Sequence, residues 1–161
     1  MPREEDRPVQ ESVLDRLIGD DAEVSAITRA RSVRDLKAAV RRDLEWLLNT
    51  RSVALPPPES LNQLRESVYT YGLGDITSLS ADDPKARARL RNMIEEAIRV
   101  FEPRLTNVQV VEATAFTREA RQLRFSIQAV LRMDPSPERI SFDTILDVSR
   151  GQYAVKGEFG A

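Results

Sequence analysis

The sequence predicts an α+β fold in which N-terminal helices pack on one face of a C-terminal antiparallel sheet of three to four strands. Apolar residues recur at helical spacing over 33–49 and 84–101, and after residue 105 the apolar period changes from 3.6 to 2. Helices that precede a meander of strands cover the apolar face of an antiparallel sheet. The order of the two periods therefore predicts the fold class.

The composition is that of one folded domain. The chain has 161 residues, of which 41% are hydrophobic and 31% charged. We expect a single domain over 32–157, preceded by an N-terminal extension at 1–31 and followed by a tail at 158–161. The net charge of -2 argues against a general electrostatic grip on nucleic acid.

The extension contains one apolar island, in the segment SVLDRLIGD. Its apolar residues line one side of a short helix over 12–19 that Gly19 ends: Val13, Leu14, Leu17 and Ile18. Such a segment fits two roles equally well, because it can dock on a partner or pack back on its own domain.

The first long helix is predicted over 33–49, with Ser32 and Asp35 as a capping-box-like start. Its apolar positions are Val33, Leu36, Val40, Leu44, Leu47 and Leu48. Trp46 lies beside these leucines, and we interpret it as a packing residue rather than a platform for sugar stacking. After the prolines at 56–58, a shorter helix is predicted from Ser60, with inner residues Leu61, Leu64 and Val68.

A turn-rich loop, YGLGDITSLS, precedes the next helix, and its glycines, Gly72 and Gly74, favour unusual backbone angles. Asp82 or Asp83 caps the helix over 84–101, which has Pro84 at its first position and stops before Pro103. Its apolar stripe is Leu90, Ile94, Ala97, Ile98 and Phe101, and its outer ladder is Arg91, Glu95 and Arg99.

The first turn of this helix is unusual, because Lys85, Arg87 and Arg89 place positive charge near the positive end of the helix dipole. Two explanations stand: a basic patch that faces an acidic partner, or a small surface cost that the fold tolerates.

The strands are predicted from apolar residues that alternate with polar ones at a period of two. A first strand holds Val108 and Val110, a third holds Ile140, Phe142, Leu146 and Val148, and a short last strand holds Tyr153 and Val155. The second strand is the clearest, with inner residues Leu123, Phe125, Ile127, Ala129 and Leu131.

Missing residue types exclude most chemistry. Histidine and cysteine are absent, so a Ser-His-Asp or Cys-His nucleophile is impossible, and no phosphate-binding glycine loop occurs. We therefore expect no cofactor, no metal, no small-molecule substrate and no enzymatic activity. Glycoside hydrolysis needs only two carboxylates, and this leaves Glu102 as one candidate acid. No apolar stretch is long enough for membrane insertion.

Four segments together resemble the TssE family, the wedge proteins of type VI secretion baseplates, and the related wedge protein of contractile phage tails. They are SVLDRLIGD, RRDLEWLLNTR, the YGLGD loop and IEEAIRVFEPRL, and the resemblance covers about residues 12–157. Gly74 departs from it, because the family has proline there.

The resemblance implies a cytoplasmic structural subunit that joins the wedge proteins TssF and TssG and links the baseplate to the contractile sheath. In that family the folded domain is similar to the attachment domain of sheath subunits and templates the first sheath ring by strand exchange. Relatives once labelled tail lysozymes make a carboxylate-dependent peptidoglycan hydrolase the alternative.

The triplet Glu102-Pro103-Arg104, followed by Leu105, matches the signature of the family. From the residues alone, Arg104 either offers a bidentate fork to a partner or completes a self-contained corner. With the resemblance, partner contact is favoured. The predicted contact set is Glu102, Pro103, Arg104, Leu105, Lys85, Arg89, Leu14 and Leu17.

Overall fold

A computed structural model describes residues 29–53, 55, 57–58, 60–76, 81–117, 121–133 and 136–157. The helices and strands confirm the α+β class, and none of the described helices is long and apolar enough to cross a membrane. The elements are α1 (Arg29–Asn49), α2 (Pro84–Phe101), β1 (Leu105–Thr117), β2 (Gln122–Leu131), β3 (Glu138–Asp147) and β4 (Gln152–Lys156). The division into an extension, a domain and a tail stays a prediction.

The sheet is an antiparallel meander in the order β1-β2-β3-β4. Every inner residue predicted for β2 is buried, because strict alternation turns odd-numbered side chains toward the helices. Thr144 occupies a core position on β3 that apolar patterning misses, and Val148 follows β3 in a turn rather than extending it. Gly151 adopts a φ of 63° in the tight turn to β4.

α1 begins at Arg29, so the predicted start at Ser32 is wrong. Leu36, Val40, Leu44, Leu47 and Leu48 are buried as predicted.

The packing interpretation of Trp46 is also wrong. Its side chain is 51% exposed, and the Arg42 guanidinium lies 5.2 Å from its ring centroid. Trp46 is therefore a surface residue held by a cation–π contact.

α2 matches its prediction at both ends. Asp83 is the N-cap, and its carboxylate accepts the Lys85 N–H (2.9 Å), with Pro84 at the first position. Glu95 was predicted only as part of the outer ladder of charges on this helix. It has a further contact, because its carboxylate accepts the N–H of Val110 (2.8 Å). This contact satisfies a main-chain donor on the outer edge of β1.

The helix predicted from Ser60 is wrong. Two short 3-10 helices, Asn62–Glu66 and Val68–Thr70, replace it, because the Ser67 hydroxyl accepts the N–H of Tyr69 and interrupts the helical period. Leu61 is half-exposed and Val68 is 89% exposed, so neither is an inner residue.

Candidate docking corner

The turn between α2 and β1 is built by main-chain hydrogen bonds. Glu102 is the C-cap of α2, and its N–H donates to the carbonyl of Ile98 (2.9 Å). Pro103 has no N–H to continue the helix, and the N–H of Leu105 donates back to the carbonyl of Glu102 (3.0 Å). The turn therefore ends the helix and starts β1 within three residues. We call Glu102, Pro103 and Arg104 the corner.

The side chains of the corner form an ion pair inside the chain. Arg104 Nε donates to Glu102 Oε1 (2.6 Å), and Arg104 Nη2 donates to Glu102 Oε2. Glu102 is only 4% exposed, so its charge needs this bidentate partner. Burial by itself would lower the pKa of Arg104, but the hydrogen bonds and charges of Glu102 and then Asp43 raise it above the usual arginine value.

Asp43 is the third member of this cluster, and sequence reasoning missed it. Its Oδ2 accepts from Arg104 Nη2 (2.6 Å) across 61 positions of chain, and its Oδ1 accepts from Arg42 Nε (3.0 Å). A signal was present, because Asp43 lies three residues after Val40 and four before Leu47, which is a core-facing helical position. An acid on an apolar stripe indicates a buried partner.

The YGLGD loop packs against the same cluster. The rings of Tyr71 and Phe101 meet edge to face, with centroids 5.2 Å apart. Burial, and then the charges of Asp43 and Glu102, raise the pKa of the Tyr71 phenol. The loop thus closes one side of the ion-pair cluster.

Gly72 docks this loop onto the end of α1. The N–H of Leu73 donates to the carbonyl of Thr50 (2.9 Å), and the N–H of Ser52 donates to the carbonyl of Leu73 (2.9 Å). Gly72 has a φ of 108°, and a Cβ there would lie 2.3 Å from the Thr50 oxygen. Gly74 lacks a positive φ, so the prediction of unusual angles holds for Gly72 alone.

The corner divides into buried and accessible parts. Glu102 and Leu105 are buried, Pro103 is exposed, and the Arg104 side chain is 23% exposed. Arg104 Nη1 is buried and has no hydrogen-bond partner within the described residues. A partner can reach Pro103 and the outer side of Arg104, so the contact role of the corner stays a prediction.

The geometry gives Glu102 no sign of acid chemistry. Both of its oxygens accept hydrogen bonds from Arg104 and the residue is buried, so neither oxygen faces a space where a sugar substrate could bind. Among the described residues, no group of acids is placed to hold a metal ion.

The basic first turn of α2 is only partly available. Arg87 Nε lies 3.1 Å from Glu112 Oε1, and its Nη1 donates to the carbonyl of Ala81 (2.9 Å). Lys85 and Arg89 are exposed, and their side chains have no hydrogen bond or ion pair with the described part of the chain. Leu14 and Leu17, the other predicted contact residues, lie outside the described residues.

Comparison with known proteins identifies the family. No curated protein matches the chain. The model of the family described as Baseplate wedge protein gp25 matches residues 34–136, which is more than half of the chain. That span contains the segments RRDLEWLLNTR, YGLGD and IEEAIRVFEPRL, whereas SVLDRLIGD and the last two strands of the meander lie beyond it. The resemblance inferred from the motifs is confirmed, and the chain belongs to the baseplate wedge protein gp25 family, whose role is structural.

Proposed function

We propose that this chain is a structural subunit of a type VI secretion baseplate wedge, on the cytoplasmic side of the inner membrane. It connects the baseplate to the contractile sheath and helps to initiate sheath assembly. The observation that carries this proposal is that the family match spans the whole ion-pair cluster, from Asp43 to Arg104. The ion pairs of this cluster hold the corner in one conformation. A rigid corner loses little conformational entropy on binding, which supports docking on the wedge proteins TssF and TssG.

Within the corner, we assign contact to Pro103 and the outer side of Arg104. Glu102 and Leu105 hold these two residues in place from inside the fold. Arg104 Nη1 is itself buried, so a partner would meet the exposed remainder of the Arg104 side chain beside Pro103.

The sheath side of the proposal needs a sheet edge that accepts an extended segment. The outer edge of β4 is blocked by α1. Asn49 binds both the N–H and the carbonyl of Tyr153 (2.9 Å each), and Arg41 Nη1 donates to the carbonyl of Val155 (3.3 Å). A strand added there would have to displace all three contacts.

The outer edge of β1 is less protected. Glu95 binds the outward N–H of Val110, so alternation places the N–H and carbonyl of Glu112 on the same outer side. Neither main-chain group of Glu112 has a hydrogen bond on that side within the described chain. The contrast with β4 favours β1 as the edge that receives a sheath strand.

The test is co-purification of the full chain with TssF and TssG, together with sheath assembly in cells. The docking variant is Lys85→Glu with Arg89→Glu, and the matched control is Arg65→Glu with Arg91→Glu, which reverses two exposed cations elsewhere in the chain. We expect the docking variant to fold normally but lose most wedge recovery and sheath assembly, while the control keeps both.

Normal assembly by the docking variant would remove these two residues from the interface. Failure of the unmodified chain to recover either wedge protein would overturn the proposal itself. Peptidoglycan cleavage by the pure protein that Glu102→Gln abolishes would replace it with the hydrolase alternative.

A further inference from the structure

The face of the sheet that points away from the helices is uncovered by any described element. The helices and the buried core lie on the other face, where β2 places Leu123, Phe125 and Ile127. Opposite them, the uncharged outward residues in the centre of β2 and β3 are Ser126, Gln128, Val130, Ser141 and Ile145. The hydroxyls of Ser126 and Ser141 are 2.9 Å apart and join the two strands across this surface.

Positive charge surrounds this centre. Four exposed cations occupy outward positions of the strands or directly follow one: Arg124, Arg132, Arg139 and Lys156. We call these four residues, with the central five, the open sheet face. Within the described residues, none of the four cationic side chains has a hydrogen bond or ion pair.

The acids on this side do not balance the cations. Asp143 and Asp147 share the outward positions of β3, but Asp147 is used by the turn that follows, where it accepts the N–H groups of Ser149 (2.9 Å) and Arg150 (3.2 Å). Among the described residues of the strands, one uncommitted acid therefore faces four cations, on a chain whose net charge is -2. Such asymmetry concentrates positive potential on a single surface.

The register spreads the cations along the face. Arg124 lies opposite Ile145, and Arg139 lies opposite Val130, six residues farther along β2. At the rise of a strand, the two arginines are about 20 Å apart. Their guanidinium groups, with serine, glutamine and aliphatic residues between them, suit carboxylates presented by a protein surface. The face lacks the aromatic platforms that bind single-stranded nucleic acid.

The face is also continuous with the corner. The N–H of Arg132 donates to the carbonyl of Arg104 (2.8 Å), so the cation at this end of the face lies beside the corner. One partner surface can therefore reach both.

We propose that the open sheet face is a second docking surface, which binds an acidic protein surface through Arg124, Arg132, Arg139 and Lys156. The proposal goes beyond the role of the corner, and it does not require the partner to be TssF, TssG or the sheath.

The test is binding of a fluorescent oligo-glutamate peptide to the full chain at low and at physiological salt, read by fluorescence anisotropy. The face variant is Arg124→Gln with Arg139→Gln. The matched control is Arg65→Gln with Arg91→Gln, which removes the same charge from exposed positions on other elements. We expect the face variant to bind about tenfold more weakly and the control to stay within about twofold of the unmodified chain.

Three results would overturn the proposal. Equal loss in both variants would show a non-specific response to net charge, and no binding by the unmodified chain would remove the site. Tighter binding of a single-stranded oligonucleotide of the same net charge would assign the face to nucleic acid. We expect both variants to fold, because all four substituted side chains are exposed. Unfolding curves of the two variants check this.

Discussion

The two ends of α2 carry charge in opposite ways. At the C-terminal end, Glu102 and Arg104 are paired with each other and with Asp43 inside the fold. At the N-terminal end, Lys85 and Arg89 project into solvent, where the helix dipole disfavours them. The comparison teaches that a charged motif beside a helix can be structural at one end and available for contact at the other. In the sequence alone, both ends show only charged residues next to a helix terminus, so the two cases cannot be told apart.

The largest expected effect is at the C-terminal end. Arg104→Met leaves Glu102 buried without a counter-charge, and we expect a loss of about 3 kcal/mol in the free energy of unfolding. Urea denaturation followed by circular dichroism measures it. Adding Glu102→Gln to Arg104→Met should recover part of that loss, because the buried charge is then gone. A loss below about 1 kcal/mol in the single variant would contradict a structural ion pair.

The loop that closes this cluster gives the next effect. Gly72→Ala forces a side chain into a positive φ and against the Thr50 carbonyl, and we expect a loss of about 2 kcal/mol or more. Gly74→Ala is the matched control, because the nearest atom to its Cβ is the flexible Met93 Cε at 3.1 Å. We expect the control to change the free energy of unfolding by less than about 1 kcal/mol. Thermal melts of the two variants measure whether Gly72→Ala loses more stability than Gly74→Ala.

At the N-terminal end, removing the cap has a moderate effect. Asp83→Ala leaves the N–H of Lys85 without its side-chain acceptor and should lower the free energy of unfolding by about 1 kcal/mol. Asp83→Asn keeps an acceptor oxygen and should lose less. Chemical denaturation of both variants measures the difference, and equal losses would show that the hydrogen bond contributes nothing.

The smallest effect has the opposite sign. Lys85→Glu places a negative charge in the first turn of α2, so we expect a gain of about 0.3 kcal/mol at low ionic strength that added salt weakens. A shift in the urea midpoint at two salt concentrations measures it. If the substitution destabilised the chain instead, Lys85 would have a structural role, and the contrast between the two ends of α2 would fail.

Local patterns predicted most of the fold because they report backbone preferences. Alternation in β2 assigned every inner residue, and Asp83 with Pro84 marked the start of α2. The prediction failed where a neighbouring element overrides the local period. Trp46 lies beside leucines that recur at helical spacing, and this pattern predicts burial. No described element covers Trp46, however, and its half-exposed ring contacts Arg42.

The candidate site was predicted only in part. Glu102, Pro103 and Arg104 stood out because a proline follows a helical stripe and two opposite charges flank it. Asp43 did not, because its place on the apolar stripe of α1 indicates a buried partner without identifying Arg104, which lies 61 positions away in the chain. The contact between Asn49 and Tyr153, 104 positions apart, is hidden for the same reason. Leu14 and Leu17 stay predictions.

The sequence by itself determined the order of helices and strands, the core faces and the absence of histidine and cysteine chemistry, since these depend on residue type and short-range spacing. Only the tertiary structure decided which charges are free. Packing joins Arg104 to Glu102 and Asp43, leaves Lys85 and Arg89 in solvent, and gathers Arg124, Arg132, Arg139 and Lys156 on one uncovered face. The physical reason is that the environment of a charge depends on residues far apart in the chain, which meet only when the fold closes.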